Sequence, residues 1–234
     1  MATMQHAREY ASYLHTEWEL FERHPSRALA SLAAAADLEV TRVLDVGCGA
    51  GQELLPFVTD RDVFAVGIDK AADAAKVAHP LFASRKMRGR VVFATAEAER
   101  LPCRSNTFDV VICRLALPYT RNARALSELA RVVRPGGLVL LQFHHARFYL
   151  NGLARAMKAL SPRPVVHDLL VLAAGIVYLM TGTQPRARWI AGEVFQTEWT
   201  LRRELAGVGL EIRARLPESH PETPSLVLVK KLTR

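Results

Sequence analysis

The alternation of short apolar runs with helical segments between residues 42 and 143 limits the possible folds more than any other feature. Each run is about as long as one strand and too short for a stable helix. The runs lie at 42–46, 63–68, 91–94, 108–113 and 138–143. Nearly continuous apolar strands are typical of a parallel sheet whose two faces are both covered by helices. The pattern therefore predicts the α/β class.

Helical periodicity marks the segments that cover this sheet. Predicted helices lie at 3–22, 26–37, 52–58, 71–85 and 121–133, and a stop-and-turn signal follows at 135–137. Residues 145–196 no longer alternate and predict two or three helices, with loops at 161–164 and 181–188. A helix at 197–207 precedes strands at 210–216 and 225–231. Because no helix separates these two strands, they predict an antiparallel pair at one end of the sheet.

Composition and charge narrow the class of protein further. Half of the 234 residues are hydrophobic, which favours an ordered domain with a full core over a disordered chain. The net charge is +8, but the arginines are dispersed and no five like charges are consecutive. The charge therefore indicates a solvated surface rather than a nucleic-acid partner.

Cysteine usage and hydropathy predict a cytoplasmic protein. Cys48, Cys103 and Cys113 form no C-x-x-C pair, so we expect neither a disulfide nor a metal site. The first twenty residues lack the apolar core of a secretory signal. The most apolar stretch, 169–180, has 12 residues without a charge, whereas a spanning helix needs about 20. It predicts a buried or interfacial helix.

The segment Val43-Leu-Asp-Val-Gly-Cys-Gly-Ala-Gly51 carries the strongest functional signal. Gly47, Gly49 and Gly51 follow a predicted strand and open a helix, at the sheet edge where α/β folds bind ligands. Side chains at these positions would block a ligand from approaching the backbone closely. The spacing differs from the G-x-G-x-x-G of dinucleotide-binding proteins. A carboxylate at Asp45 gives a pyrophosphate no advantage, whereas it favours a cationic amino acid group.

Two further acidic residues follow neighbouring predicted strands. Asp69 lies 22 residues after Gly47, where an acid can accept hydrogen bonds from both hydroxyls of a ribose. The alternative is that Asp69 caps the next helix, near Ala71. Glu97 follows the third strand and can accept from an adenine amino group, while the backbone N–H of Ala98 donates to a ring nitrogen. The alternative for Glu97 is an exposed loop acid.

Together these motifs resemble the class I S-adenosylmethionine-dependent methyltransferases, in particular the branch that includes quinone-biosynthesis and other small-molecule methyltransferases. The resemblance covers 41–143 closely and the last strands more loosely. The matching segments are 43–51 for the first motif, Asp69 for the ribose-binding acid, 96–99 for the adenine segment, 108–113 for the fourth strand and 129–137 for the turn before the fifth. The adenine segment is usually written Gly-Asp-Ala-Glu, so Ala96 and Glu97 are departures that can shift how the adenine sits.

The resemblance implies a fold and a cofactor. The fold is a Rossmann-like, mostly parallel sheet of seven strands with an antiparallel last strand, helices on both faces and a helical lid insertion. We expect one domain, divided into N-terminal helices (1–40), a cofactor-binding half (41–143), the lid (144–196) and a final helix with a strand pair (197–234). The implied cofactor is S-adenosyl-L-methionine. The residues expected to bind it are Asp45, Gly47, Cys48, Gly49, Gly51, Asp69, Lys70, Glu97, Ala98 and Arg114.

Two groups of side chains near the implied site have alternative interpretations. Arg114 can hold an acidic group of the acceptor or can pair with Asp109 or Glu97. The aromatic residues of the first helix can fold over the cofactor or can pin that helix to the core. They are Tyr10, Tyr13 and Trp18.

The implied reaction is an in-line displacement, for which the protein must align donor and acceptor and exclude water. His144, His145 and Tyr119 follow predicted strands and are the candidates for removing a proton from the acceptor. The alternative for the two histidines is a loop position in which they bond backbone carbonyls.

The insertion at 145–196 is the predicted acceptor lid. It carries Phe148, Tyr149, Met157, Tyr178 and Trp189, which indicate a small, apolar and lipid-like acceptor. The same residues fit a dimer interface, so monomer and homodimer stay open. Cations interspersed among them also fit a peripheral membrane contact.

Three rival functions are consistent with parts of the pattern. An RNA methyltransferase of the same fold fits the charge, but the Asn/Asp-Pro-Pro-aromatic signature is missing at 114–119. A nicotinamide dehydrogenase fits the fold but not the loop spacing. A non-catalytic protein that only binds the cofactor is compatible with the sequence.

Overall fold

The computed structural model describes residues 2–185 and 192–232. Seven strands form a single sheet: β1 (Arg42–Val46), β2 (Phe64–Asp69), β3 (Arg90–Thr95), β4 (Phe108–Arg114), β5 (Val133–Gln142), β6 (Leu210–Arg215) and β7 (Ser225–Lys230). The strand order is β3-β2-β1-β4-β5-β7-β6. β1 to β5 pair in parallel, while β7 is antiparallel to both β5 and β6. The predicted Rossmann-like sheet with an antiparallel last strand is confirmed.

Eight helices and one short 3-10 turn accompany this sheet within the described residues. They are α1 (Ala2–Arg23), α2 (Ser26–Ala34), α3 (Leu55–Asp60), α4 (Ala72–Ala83), the 3-10 turn Leu117–Tyr119, α5 (Asn122–Val132), α6 (Ala146–Lys158), α7 (Pro162–Thr181) and α8 (Glu198–Gly207). Trp189 and the last part of the predicted loop at 181–188 lie outside the described residues.

The core lies on both faces of the sheet because successive strand residues point to opposite sides. On one face, Leu44 and Val111 pack with residues of α5 and α8. On the other face, Val43 and Val110 pack with residues of α1, α3 and α4, including Trp18. All five of these side chains are buried. The predicted cover of helices on both faces is therefore present.

The strand order reverses beside β1, and this reversal positions the site. The chain runs from β1 outward to β2 and β3, and then returns to place β4 on the opposite side of β1. Ligands of open α/β sheets bind at such a reversal, outside the carboxyl ends of the strands. Val46 pairs with Ile68, and Asp45 pairs with Ile112, so the ends of β1, β2 and β4 lie at the same edge.

The start of β5 differs from the sequence prediction. We expected a stop and a turn at 135–137, but β5 begins at Val133 and continues through these residues. Val133 pairs with Phe108 and Leu138 with Val110, so the residues 134–137 bulge opposite one residue of β4. A proline is tolerated at such a bulge because the N–H that it lacks is not needed for the ladder. The prediction of a turn outside the strand is wrong.

Candidate cofactor site

A cavity of about 450 Å³ opens at the carboxyl edge of the sheet. Its volume lies within the range of about 300–1,000 Å³ that is typical of small-molecule sites. The predicted site residues that line it are Asp45, Gly47, Cys48, Gly49, Asp69, Lys70, Glu97, Ala98, Arg114 and Tyr119. The ends of β1, β2, β3 and β4 therefore converge on one cleft, as the sequence predicted. Gly51, His144 and His145 are not part of its lining.

The turn after β1 needs glycines for two reasons. Gly47 and Gly49 have φ angles of 75° and 53°, in the left-handed region that other residues rarely adopt. A Cβ at Gly47 would also overlap the Cβ of Ala116, and one at Gly49 would lie 3.0 Å from Cδ2 of Leu14. The backbone at 47–49 is thus exposed to the cavity without a side chain in the way. Gly51 packs against Phe93 instead, behind the cavity wall.

Asp69 organises the loop and the start of the next helix together. Its Oδ2 accepts from the backbone N–H of Gly49 at 3.0 Å and from the hydroxyl of Tyr10 at 3.2 Å. Its Oδ1 accepts from the backbone N–H of Ala71 at 2.9 Å, just before α4. The alternative that Asp69 caps α4 is wrong in detail, because the N-cap residue is Ala71 and the bond from Asp69 fixes the turn that leads into it. These contacts do not exclude binding of ribose, because each carboxylate oxygen can accept more than one hydrogen bond.

Asp45 provides an unpaired buried carboxylate at the cavity. The side chain is buried, and its Oδ2 accepts no hydrogen bond from the residues that the structure describes. Burial, together with the nearby charge of Glu53, raises the pKa of Asp45 well above its usual value. A cationic group beside Asp45 would favour the charged carboxylate and reverse this shift.

Arg114 forms a different set of contacts from the one predicted. Its guanidinium pairs with Glu53 at 3.4 Å and with Glu218 at 3.0 Å. It also donates to the side chains of Gln142 and Ser31. Its Nη2 is buried and has no partner among the described residues.

The predicted pairing of Arg114 with Asp109 or Glu97 is wrong. Asp109 lies five residues before Arg114 on β4, roughly 16 Å away along the strand. At that end it accepts from the backbone N–H groups of Thr41 and Arg42, at 2.7 and 2.8 Å. Glu97 is exposed and forms no ion pair with a described residue.

Gln52 and Glu53 also line the cavity, although their sequence pattern had not identified them as site residues. A helix was predicted over 52–58, but α3 begins at Leu55, and the preceding turn directs both side chains to the cavity. Glu53 accepts from Nε of Arg27 at 2.8 Å and from the hydroxyl of Ser31 at 3.1 Å. The polar pair Gln-Glu directly after the third glycine was the available signal.

The unpaired polar atoms fit the amino acid end of S-adenosylmethionine. Asp45 Oδ2 and Gln52 Oε1 are buried acceptors without a donor, and Arg114 Nη2 is a buried donor without an acceptor. Buried polar groups are normally paired, so these atoms indicate a ligand with complementary groups. An α-amino acid group offers an ammonium for the two acceptors and a carboxylate for the guanidinium.

The aromatic residues of α1 divide between the two predicted roles. Tyr10 and Tyr13 line the cavity, and their rings stack with centroids 6.1 Å apart. Trp18 instead is buried and packs edge-on against Phe82, 5.7 Å between centroids. The middle of α1 thus lines the cavity, while Trp18 pins the helix to the core.

Comparison with known proteins identifies the family. Residues 44–141 match the family model of a methyltransferase domain. The chain is 29% identical to the demethylmenaquinone methyltransferase of Paenarthrobacter aurescens, over 86% of this chain and 79% of that protein. Residues 44–141 are therefore a methyltransferase domain, within the fold of the class I S-adenosylmethionine-dependent methyltransferases. S-adenosylmethionine is accordingly its cofactor.

A second relative of this methyltransferase matches in sequence and in structure. The uncharacterized methyltransferase YcgJ of Bacillus subtilis is 37% identical over 109 residues, which span 45% of this chain and 41% of YcgJ. The crystal structure of YcgJ superposes with a TM-score of 0.61 at 17% identity, covering 89% of this chain and all of that chain. The structural match supports the fold.

A network of buried polar side chains lies next to Tyr119, outside the lining of the methyltransferase cavity. The ring of His144 is buried, stacks on Phe148 at 4.0 Å and meets the ring of Tyr119 edge-on at 6.0 Å. Nδ1 of His144 lies 3.3 Å from the hydroxyl of Tyr149, which donates to Glu193 at 2.8 Å. The network continues from Glu193 to the ring of His167, 3.2 Å away and partly exposed.

His145 has a local structural contact instead. Its Nδ1 accepts from the backbone N–H of Arg147 at 3.3 Å, which caps the start of α6. Of the three candidates for proton removal, Tyr119 is the one that lines the cavity, and His144 contacts it from behind. Their catalytic roles stay predictions.

Stability should fall in mild acid because His144 is buried. Burial lowers the pKa of His144 from 6.5 to about 4. Between these values the unfolded chain binds a proton that the folded chain does not bind, so lowering the pH favours unfolding. We expect His144 to contribute a loss of about 3 kcal/mol as the pH falls from 6.5 to 4, since one pKa unit corresponds to about 1.36 kcal/mol. Urea unfolding across this range checks it, with His144→Asn showing a correspondingly shallower decline. Parallel curves for the two proteins would contradict the prediction.

Proposed function

We propose that this methyltransferase transfers a methyl group to a small, apolar acceptor in the cytoplasm. The cavity supports this proposal because it joins a polar end at Asp45 and Arg114 to an aromatic wall of Tyr10, Tyr13 and Tyr119. The polar end suits the amino acid group of the cofactor, which leaves the aromatic wall to the acceptor. When bound, S-adenosylmethionine supplies an electrophilic methyl group on a sulfonium cation.

Each end of the cavity has a proposed binding role. Asp45 holds the ammonium of the cofactor and Arg114 its carboxylate. Asp69, at the end of β2, accepts from the ribose hydroxyls, and the Tyr10 hydroxyl then shares or yields its place on Oδ2. Glu97 and the N–H of Ala98 bind the adenine at the rim. These roles leave the sulfur end directed toward the space between the tyrosines.

The aromatic wall favours a flat apolar acceptor. Tyr119 lines the cavity together with the stacked pair of Tyr10 and Tyr13. Burial raises the pKa of the Tyr119 hydroxyl, so it stays neutral and can orient an acceptor oxygen by hydrogen bonding. His144 positions the Tyr119 ring. The Paenarthrobacter relative is named for demethylmenaquinone, an acceptor of this flat and apolar kind.

The test measures methyl transfer from isotopically labelled S-adenosylmethionine to three classes of acceptor: a naphthoquinol, a catechol and transfer RNA. We expect kcat/KM for a short-chain demethylated naphthoquinol to exceed that for a polar catechol by at least about tenfold. The reason is that an acceptor binds an apolar wall less tightly when polar groups replace its apolar groups. Mass spectrometry of the product identifies the methylated atom.

The controls separate the rival functions. Transfer RNA should receive no label, and Asp69→Ala should abolish transfer to the naphthoquinol. Labelled RNA or a preference for the catechol would overturn the proposed acceptor class. Tight cofactor binding without transfer to any acceptor would favour a non-catalytic binding protein.

A further inference from the structure

One face of α7 is apolar and exposed over its whole length. Its exposed apolar residues recur every three or four positions and therefore form one continuous stripe. We call this set the α7 stripe: Val166, Leu169, Leu170, Ala173, Ile176, Val177 and Met180. A contiguous exposed apolar surface of this kind marks a site of interaction with a protein or a membrane.

The opposite face of α7 fixes the helix to the domain. Val171 and Tyr178 are buried in a cluster with residues of α6, and Gly175 lies directly against the ring of Phe195. The Tyr178 hydroxyl also donates to Glu204 of α8. By length and composition alone α7 could cross a membrane, since it has 20 residues and a mean hydropathy of 1.7 over its most apolar window. Because one face packs on the protein, α7 is placed to lie along a membrane rather than through it.

Exposed cations surround the N-terminal end of the stripe. Arg155, Lys158 and Arg163 lie on both sides of the turn between α6 and α7, beside Leu160, which is 89% exposed. The sequence of the segment 146–181 contains one acidic residue, Asp168, and its side chain is turned inward to contact His167. The exposed part of this helical hairpin is therefore apolar and positively charged.

The other end of the stripe is also cationic, and this charge distinguishes a second copy of the chain from an anionic membrane as the partner. The guanidinium of Arg203 lies beside Gly182, the residue that caps the end of α7, and stacks on the exposed ring of Trp199. If two copies paired through the stripe, cations would face cations in either a parallel or an antiparallel arrangement. An anionic surface complements both ends at once.

We propose that the α7 stripe docks on the surface of a bilayer containing anionic lipids. The apolar residues enter the boundary between headgroups and acyl chains, and the cations at both ends of α7 contact lipid phosphates. Trp199 suits this position, because tryptophan is enriched at the interface between membrane and water.

The docking surface is connected to the cavity mouth. The side chain of Gln184, three residues after α7, donates to the carbonyl of Thr120 and accepts from the N–H of Asn122. Thr120 lines the cavity next to Tyr119. If the proposed function holds, a lipid-soluble acceptor could reach the cavity from the membrane at this side.

Vesicle sedimentation of the full chain, without cofactor or acceptor, tests the proposal. We expect binding to vesicles of phosphatidylcholine with phosphatidylglycerol, weaker binding to phosphatidylcholine alone, and release at high salt. Leu169→Gln/Ile176→Gln and Lys158→Glu/Arg163→Glu should each weaken binding to the anionic vesicles by at least about tenfold. Circular dichroism checks that each variant is folded.

Two double variants elsewhere on the surface serve as matched controls. Leu29→Gln/Val92→Gln removes exposed apolar residues of α2 and β3, and Lys86→Glu/Arg88→Glu makes the same change of charge before β3. Both should bind vesicles like the wild type. The proposal would be overturned if the wild type did not bind the anionic vesicles, or if the control variants lost as much binding as the test variants. If the wild type binds no vesicles but forms a dimer in analytical ultracentrifugation, and Leu169→Gln/Ile176→Gln dissociates that dimer, the stripe is an interface between two copies instead. The proposed methyl transfer would be unaffected by either result.

Discussion

Asp69→Ala is expected to raise the Kd for S-adenosylhomocysteine by about 100-fold or more, as measured by isothermal titration calorimetry. Hydrogen bonds to a charged group contribute about 1.5–3 kcal/mol each, and two ribose hydroxyls would lose such an acceptor. The substitution also removes the acceptor for the backbone N–H of Gly49. The loop that must approach the cofactor is then less well fixed, which adds to the loss.

A neighbouring acid provides the matched control for this prediction. Asp73 lies in the first turn of α4 and pairs with Lys76 at the surface. Asp73→Ala should bind S-adenosylhomocysteine like the wild type. Asp69→Asn should show an intermediate loss, because its amide keeps one oxygen and loses the charge. If the Asp69→Ala protein were folded and bound S-adenosylhomocysteine with wild-type affinity, Asp69 would not be the residue that binds the ribose.

The strand ends could be predicted from sequence because parallel topology determines where they meet. Once β1, β2 and β3 were identified as neighbouring parallel strands, Asp45, Asp69 and Glu97 had to lie at one edge. No knowledge of packing was needed for that step. The glycines after β1 further predicted that a ligand approaches the backbone closely there. The structure shows the positive φ angles that require glycine at these positions.

Contacts across long stretches of chain could not be predicted in this way. Arg114 pairs with Glu218, 104 residues later, at a position for which no local pattern gives a signal. The start of β5 was misread for a related reason. Proline and glycine at 135–137 are strong local turn signals, but pairing with β4 outweighed them and produced a bulge.

The α7 stripe shows a third limit of sequence analysis. The run at 169–180 is apolar on every side, so its periodicity does not tell which face is buried. Only the packing of Gly175 against Phe195 and of Tyr178 against α8 establishes that the stripe faces outward. The inference about a membrane surface therefore depends on tertiary contacts.

Gly49→Val is expected to abolish measurable binding of S-adenosylhomocysteine while leaving a folded protein. Gly49 has a φ of 53°, and a residue with a Cβ pays about 1–2 kcal/mol in this conformation. The new Cβ would lie 3.0 Å from Cδ2 of Leu14, so the end of that side chain must move by a few tenths of an ångström. The branched side chain then stands where the cofactor has to approach the backbone. The Tm should fall by about 2–8 °C, since 1 kcal/mol corresponds to about 2–4 °C in a chain of this size.

Gly207→Ala controls for the general effect of replacing a glycine. Gly207 is the last residue of α8, and a Cβ there meets nothing within 4 Å. Affinity should be unchanged, and the Tm should stay the same or rise, because alanine favours the helix by about 0.5–1 kcal/mol. Calorimetry and thermal unfolding of both variants distinguish a local block from a loss of fold. If Gly49→Val bound the cofactor with wild-type affinity, the backbone at 47–49 would not be the surface that the cofactor contacts, and the cavity above β1 would have to be assigned another ligand.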